Sequence, residues 1–151
     1  MTAAARLEEL GVELPVVVQP LGSYVPAVRA GNVVYTSGQL PMRDGTLVQS
    51  GKLGVDVTPE QGKELARLCA LNALAAIDSL VGIDSVVKVV KVVGFVASAA
   101  GFNGQPGVLN GASELLADVF GEAGVHARSA VGVAELPLNA PVEVELVVEV
   151  G

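Results

Sequence analysis

The chain has 151 residues, 51% of them hydrophobic and only 3% aromatic, with a formal net charge of −7. That length supports one core without help from a partner. The charge, with only nine Lys and Arg, argues against a nucleic-acid partner, whose binding rests on cation contacts to phosphate.

A core so poor in rings must be built from Val, Leu and Ala, which suits tight layering of helices on a sheet. One cysteine, Cys69, excludes an internal disulfide and is expected to be a buried small hydrophobe. With a single His beside it, a structural zinc site lacks its four ligands, and neither a metal nor a cofactor is expected. The start of the chain, MTAAARLEELG, has adjacent acids and no apolar run, so it does not match a secretory signal. No apolar stretch reaches the length of about 18 residues that a membrane span needs, and a cytoplasmic setting is the expectation.

In chain order, residues 3–10 (AAARLEEL) predict a short helix that Gly11 stops. An extended stretch, 14–19, leads to Pro20. Residues 25–39 (VPAVRAGNVVYTSGQ) carry Gly31-Asn32 between two apolar runs, the pattern of two strands joined by a tight turn. Arg43, Asp44 and Gly45 mark another turn before a strand at 46–49.

Thr58-Pro59 with Gln61 three residues after the threonine predicts a helix start, and Gly82 its end. Leu65, Leu68, Leu71, Leu74 and Ile77 recur every three residues on that helix, giving it one long apolar face to lay on a sheet. Residues 85–97 are dense in valine and predict a strand. A turn-rich stretch, 98–107, precedes a second helix expected at 108–120. Strands are expected at 127–134 and 142–150, the last with Val142, Val144, Leu146, Val148 and Val150 on one face and Glu143, Glu145 and Glu149 on the other. The order predicts an α+β (α/β two-layer) single domain over 1–151, a mixed sheet backed by two helices.

Arg128 is the first candidate for chemistry, because its same-face neighbours Ala130 and Gly132 are small and leave room for a ligand. A guanidinium there would hold a carboxylate bidentately, with a surface ion pair as the competing account. A row of glutamates on the last strand is ordinarily a solvated face. One of them placed in a cleft would have its pKa raised and be fitted to move a proton. His126 shares the parity of Arg128 and is either a base there or a surface histidine at a strand end. If the last two strands form a simple hairpin, Arg128 opposes residue 148 and lies far from Glu143, so a site using both must join two subunits.

Three segments together resemble the Rid (reactive intermediate deaminase, YjgF or L-PSP) family: GSYVPAVRAGNVVYTSGQLP at 22–41, HARSAVGVAELP at 126–137 and VEVE at 142–145. The resemblance implies a chorismate-mutase-like fold assembled as a homotrimer with a ligand cleft at each subunit boundary. It implies hydrolysis of enamine or imine forms of amino acids, such as 2-aminoacrylate, to a 2-keto acid and ammonia, with no cofactor. Carried over by position, Arg128 would grip the substrate carboxylate and Glu143 would position water or move the proton. Tyr24, Ser37 and Gly38 would line the cleft, Asn110 would approach it from a neighbouring subunit, and backbone at Ser129 would help hold the substrate.

Three departures stand out. Ala130 occupies a position where many family members carry cysteine, residues 1–14 look like an extension, and the stretch 98–111 is longer than the family's usual connection. A non-catalytic, carboxylate-binding trimer is therefore a second reading. Endoribonuclease activity or translation inhibition, a label attached to this family, is a third, which the acidic charge opposes.

Overall fold

The computed structural model describes residues 1–151. Its first helix, α1 (Ala3–Glu9), is capped by the Thr2 side chain, and Gly11 beyond it takes a positive φ of 69°. The two predicted strands around Gly31 are β1 (Ala27–Ala30) and β2 (Val33–Thr36), paired antiparallel. Gly31 sits at φ 61°, the left-handed conformation that makes glycine the natural residue for this turn. The expected strand at 46–49 is shorter, β4 (Thr46–Leu47), and pairs with β3 (Met42–Arg43) in a separate two-stranded ribbon rather than in the main sheet.

Helix α2 (Pro59–Val81) begins with both bonds of the capping box, Thr58 and Gln61 each bonding the other's backbone N–H, and Pro59 fills the first turn. Its Leu65, Leu68, Leu71, Leu74 and Ile77 are buried as the spacing predicts, each contributing about 1.5–3 kcal/mol when fully removed from water. Strand β5 (Val86–Ala97) follows, then α3 (Gln105–Phe120), β6 (Ala127–Val133) and β7 (Val142–Val150). Helix α3 starts three residues earlier than expected, because Pro106 is accommodated in its first turn. The connection ahead of it is therefore only 98–104, and much of the stretch that looked like a long loop is helix.

The main sheet has the order β1-β2-β7-β5-β6. Strands β6 and β7 do not form the expected hairpin. Strand β6 returns from α3 to lie parallel to β5, with Arg128 opposite Val92, and the chain then crosses to the far side of β5, where β7 pairs antiparallel with both β5 and β2. A parallel pair needs a crossover connection, which α3 supplies, whereas a hairpin would have left β5 without its second neighbour. Strand β7 becomes the centre of the sheet.

One face of the sheet is covered by α2 and α3. Val34, Val89, Val92, Val96 and the even-numbered residues 142–148 of β7 are completely buried there. The opposite face carries the alternate positions: Tyr35, Val147 and Lys91 in one row, Glu145, Val93 and Ser129 in the next, Glu143, Phe95 and Val131 in the third. Within one chain this face is uncovered, with Tyr35 47% and Val131 45% exposed.

Helix α3 sits unusually low because two glycines admit it. A Cβ at Gly94 of β5 would collide with the Leu109 side chain, and one at Gly111 of α3 would collide with the Lys63 carbonyl of α2. Gly111→Ala is accordingly expected to lower the unfolding free energy by about 1–3 kcal/mol through overpacking. Gly107→Ala in the same helix, where a Cβ meets open space, should leave stability unchanged or slightly raised. Urea denaturation of the two variants beside the native chain measures both.

Candidate functional site

Two groups of polar side chains are built on opposite faces of the sheet. The first surrounds Glu143. Its neighbours Val142 and Val144 point into the core, so strand alternation turns Glu143 to the open face. The segment after β2 runs beside it and is pinned from two directions. Gln39 and Val144 exchange backbone bonds of 2.8 and 3.0 Å. From α2, the buried Asn72 amide donates to the carbonyls of Leu40 and Met42 at 3.1 and 3.0 Å. This brings Gly38 so close that a Cβ on it would lie 2.5 Å from Glu143 Oε2, so any side chain there would push the Glu143 carboxylate out of its place.

A cavity of about 330 Å³ opens here, lined by Tyr24, Pro26, Gly38, Gln39, Pro137 and Glu143 among others, within the range of small-molecule sites. The Tyr24 hydroxyl accepts a bond from the Leu21 N–H at 3.1 Å and so holds the loop that forms one wall. Ser37 does not line the cavity: its hydroxyl donates to the Val25 carbonyl at 2.6 Å.

The chain's three ion pairs are Arg6–Glu9, Lys52–Glu135 and Lys63–Glu114, so the Glu143 carboxylate has no cationic partner. Burial, and secondarily the neighbouring Glu145 charge, push its pKa up from the ordinary carboxylate value. A carboxyl so placed exchanges a proton more readily near neutrality than an exposed one does. Cys69, on α2 behind it, is the buried hydrophobe expected: its thiol donates to the Val142 carbonyl at 3.7 Å, and burial followed by the Glu143 charge pushes its pKa well up.

The second group surrounds Arg128, on the helix-covered face at the edge strand β6. Arg128 Nη1 donates to Asn110 Oδ1 at 2.8 Å and to Ser113 Oγ at 3.2 Å, and Nη2 donates to the Pro106 carbonyl at 3.3 Å. Pro106, Asn110 and Ser113 are spaced at four and three residues, so they share one face of α3. Guanidinium carries five N–H donors; subtracting these three bonds leaves two, the Nε–H and one Nη2–H. Ala130 packs against the core, while Ser129 faces the opposite side.

Arg128 and Asn110, which sequence reasoning put in different subunits, meet within one chain. Arg128 and Glu143 do not meet. Arg128 is level with Val92 and Leu146, so Glu143 lies two strands across and three residues along, about 14 Å away at ordinary sheet spacings, and on the other face. The separation inferred from a hairpin thus holds for a different reason. Sequence reasoning missed Gln39, Pro137 and Ser113; of these only Ser113 left a signal, its spacing of three from Asn110.

A model of the family "YjgF/chorismate_mutase-like, putative endoribonuclease" matches residues 4–150. The chain belongs to this family. Protein TCP17 of Trypanosoma cruzi is 44% identical to it over 148 residues, 97% of this chain and 92% of that one. A 2-iminobutanoate/2-iminopropanoate deaminase of Dermatophagoides farinae is 32% identical over 137 residues, covering 91% and 93%. Among solved structures, the protein Atu1372 from Agrobacterium tumefaciens superposes with a TM-score of 0.91 at 44% identity, over 99% of this chain and 92% of that one. The mixed sheet backed by helices is the YjgF/chorismate-mutase-like fold, as the sequence resemblance implied. The formal net charge of −7 gives the chain no overall attraction to a polyanion.

The raised pKa of Glu143 has a consequence for stability. The native state holds this proton more tightly than the unfolded chain, so the contribution is complete below the ordinary carboxylate pKa and is lost as pH rises through the raised native value. Glu143→Gln should therefore melt higher than the native protein at pH 7, and the difference should vanish as pH falls below the ordinary carboxylate range. Thermal melts of both proteins across that window check it.

Proposed function

We propose that the protein is a hydrolytic deaminase of reactive enamine and imine forms of 2-amino acids, of the 2-aminoacrylate kind, working at clefts shared between copies in a homotrimer. The observation that carries this reading is the state of Arg128. Three of its donors are tied to α3 and two are left, the number a carboxylate accepts side-on. The name of the Dermatophagoides relative supports the substrate class.

An imine carbon is already electrophilic, so the protein need only hold the substrate and manage protons. Water adds to the C=N carbon and one of its protons passes to nitrogen, giving a carbinolamine; the hydroxyl proton then moves to nitrogen as the C–N bond breaks, and the 2-keto acid and ammonia leave. Arg128 holds the carboxylate, aided by Asn110 and by backbone at Ser129. Glu143 accepts the proton of the attacking water and returns it to nitrogen, in a cleft walled by Tyr24 and Gly38, with Ser37 behind them.

Two separated half-sites support an assembly of copies, and the family resemblance supplies the number three. Arg128 and Glu143 face away from each other in one chain, and the open sheet face is apolar enough to need a cover, with Tyr35, Phe95, Val131 and Val147 on it. Apposing that face against a second copy supports bringing one copy's Arg128 to another's Glu143.

The test is the rate of 2-oxobutanoate release from freshly generated 2-iminobutanoate. Arg128→Ala should lower kcat/KM by roughly a hundredfold, the scale of losing a two-bond contact to a charged group. Glu143→Gln should lower kcat. Light scattering of the native protein should give three times 15.3 kDa. One observation favours a second reading, a carboxylate-binding trimer without catalysis: Ala130 puts no reactive group beside Arg128. It predicts that 2-oxobutanoate binds, by calorimetry, to a protein that accelerates no imine hydrolysis.

A further inference from the structure

His126 and Ser113 lie outside the groups that touch substrate in the reading above, yet they form a directed chain that ends on Arg128. His126 Nδ1 is 2.6 Å from the Gly124 carbonyl. A carbonyl only accepts, so Nδ1 carries the hydrogen, and in the neutral ring Nε2 is left as an acceptor. Ser113 Oγ lies 2.8 Å from that Nε2 and so donates its proton to it. Its lone pairs are thereby turned away from the ring, and one of them receives Arg128 Nη1–H at 3.2 Å.

The far end of this chain is rigid. Gly124 is buried, and a Cβ on it would collide with the Leu116 carbonyl, so the turn Gly121–Gly124 is packed directly onto the end of α3. We propose that Ser113 and His126 are positioning residues that set the orientation of the Arg128 guanidinium. They hold both Nη1 hydrogens on α3, with Asn110, so that Nε–H and the remaining Nη2–H present a fixed fork to an incoming carboxylate.

The physical case is one of preorganisation. Arginine on an edge strand has a long stem whose ordering costs binding free energy, and a side chain already locked by neighbours does not meet that cost when ligand arrives. Without Ser113, Asn110 holds one Nη1 hydrogen and the Pro106 carbonyl one Nη2 hydrogen in a longer bond of 3.3 Å, which leaves the second Nη1 hydrogen unheld and the guanidinium able to rock. Ser113 fixes the second, and His126, by taking the hydroxyl's proton, holds that rotor with a lone pair toward Arg128. Without the ring the hydroxyl rotates freely and holds the Nη1 hydrogen less firmly.

This inference rests on the reading that Arg128 binds the substrate carboxylate. The test uses Ser113→Ala, Ser113→Thr, His126→Phe, Arg128→Ala and the double variant Ser113→Ala with Arg128→Ala. Steady-state kinetics with 2-iminobutanoate and calorimetric titration with 2-oxobutanoate are the readouts. Ser113→Ala and His126→Phe should each weaken 2-oxobutanoate binding roughly tenfold, the scale of one bond to a charged group, and the loss should fall on KM more than on kcat. Ser113→Thr, which keeps the hydroxyl, should recover native KM. In the Arg128→Ala background, Ser113→Ala should add nothing, since a residue acting through another has no effect in its absence.

Native-like KM in both Ser113→Ala and His126→Phe overturns the proposal, as does a loss that simply adds to that of Arg128→Ala. If Arg128→Ala itself leaves KM and 2-oxobutanoate affinity unchanged, the carboxylate clamp is wrong and the positioning role falls with it. If Arg128→Ala weakens binding while Ser113→Ala does not, only the positioning role falls.

Discussion

The depth at which α3 is seated governs most of what the fold makes available. Gly94 lets Leu109 settle onto the sheet, and Gly111 lets the helix backbone touch the Lys63 carbonyl of α2. Only at that depth do Pro106, Asn110 and Ser113 come level with Arg128 on β6. The same helix is the crossover that turns β6 parallel to β5, so one element decides both the strand order and the surroundings of the arginine. Packing of this kind, backbone on backbone through glycine, is stiff, because there is no side chain to yield.

The polar chemistry is divided by the sheet. Arg128 is committed to the helix side and surrounded by hydrogen-bond acceptors, none of them charged, so its charge stays uncompensated within the chain. Glu143 faces the other side, where burial by Gly38 and the cavity wall disfavours its ionised form. An unneutralised guanidinium and a carboxyl with a raised pKa are each costly alone and complementary to different ends of an imino acid. That division is the physical basis for reading the site as incomplete in a single copy.

Much of the local structure could be read directly from residues. Thr58, Pro59 and Gln61 announce α2 because a capping box is a short-range device, satisfied within one turn. Gly31 and Gly45 announce turns because their φ values are positive, and the valine alternation of 142–150 announces a strand with one dry face. The beginning of α3 was harder: Gln105-Pro106-Gly107 contains residues that ordinarily mark loops, and the helix there is upheld by bonds from Gln105 to Ser98 and Phe102 that no local pattern announces.

The amino-acid sequence by itself determined the order of the main elements, the start and stop of α2, the turn at Gly31, the two faces of β7 and, through three short segments, the family. The tertiary structure alone decided that β5 stands between β6 and β7, that Asn110 meets Arg128 within one chain, and that Ser113 and His126 join them. The reason is one of range. Caps, turns and alternation are settled by neighbours a few residues apart, whereas strand order and the partners of a guanidinium depend on residues such as Val92 and Leu146, or Asn110 and Arg128, that only packing brings together.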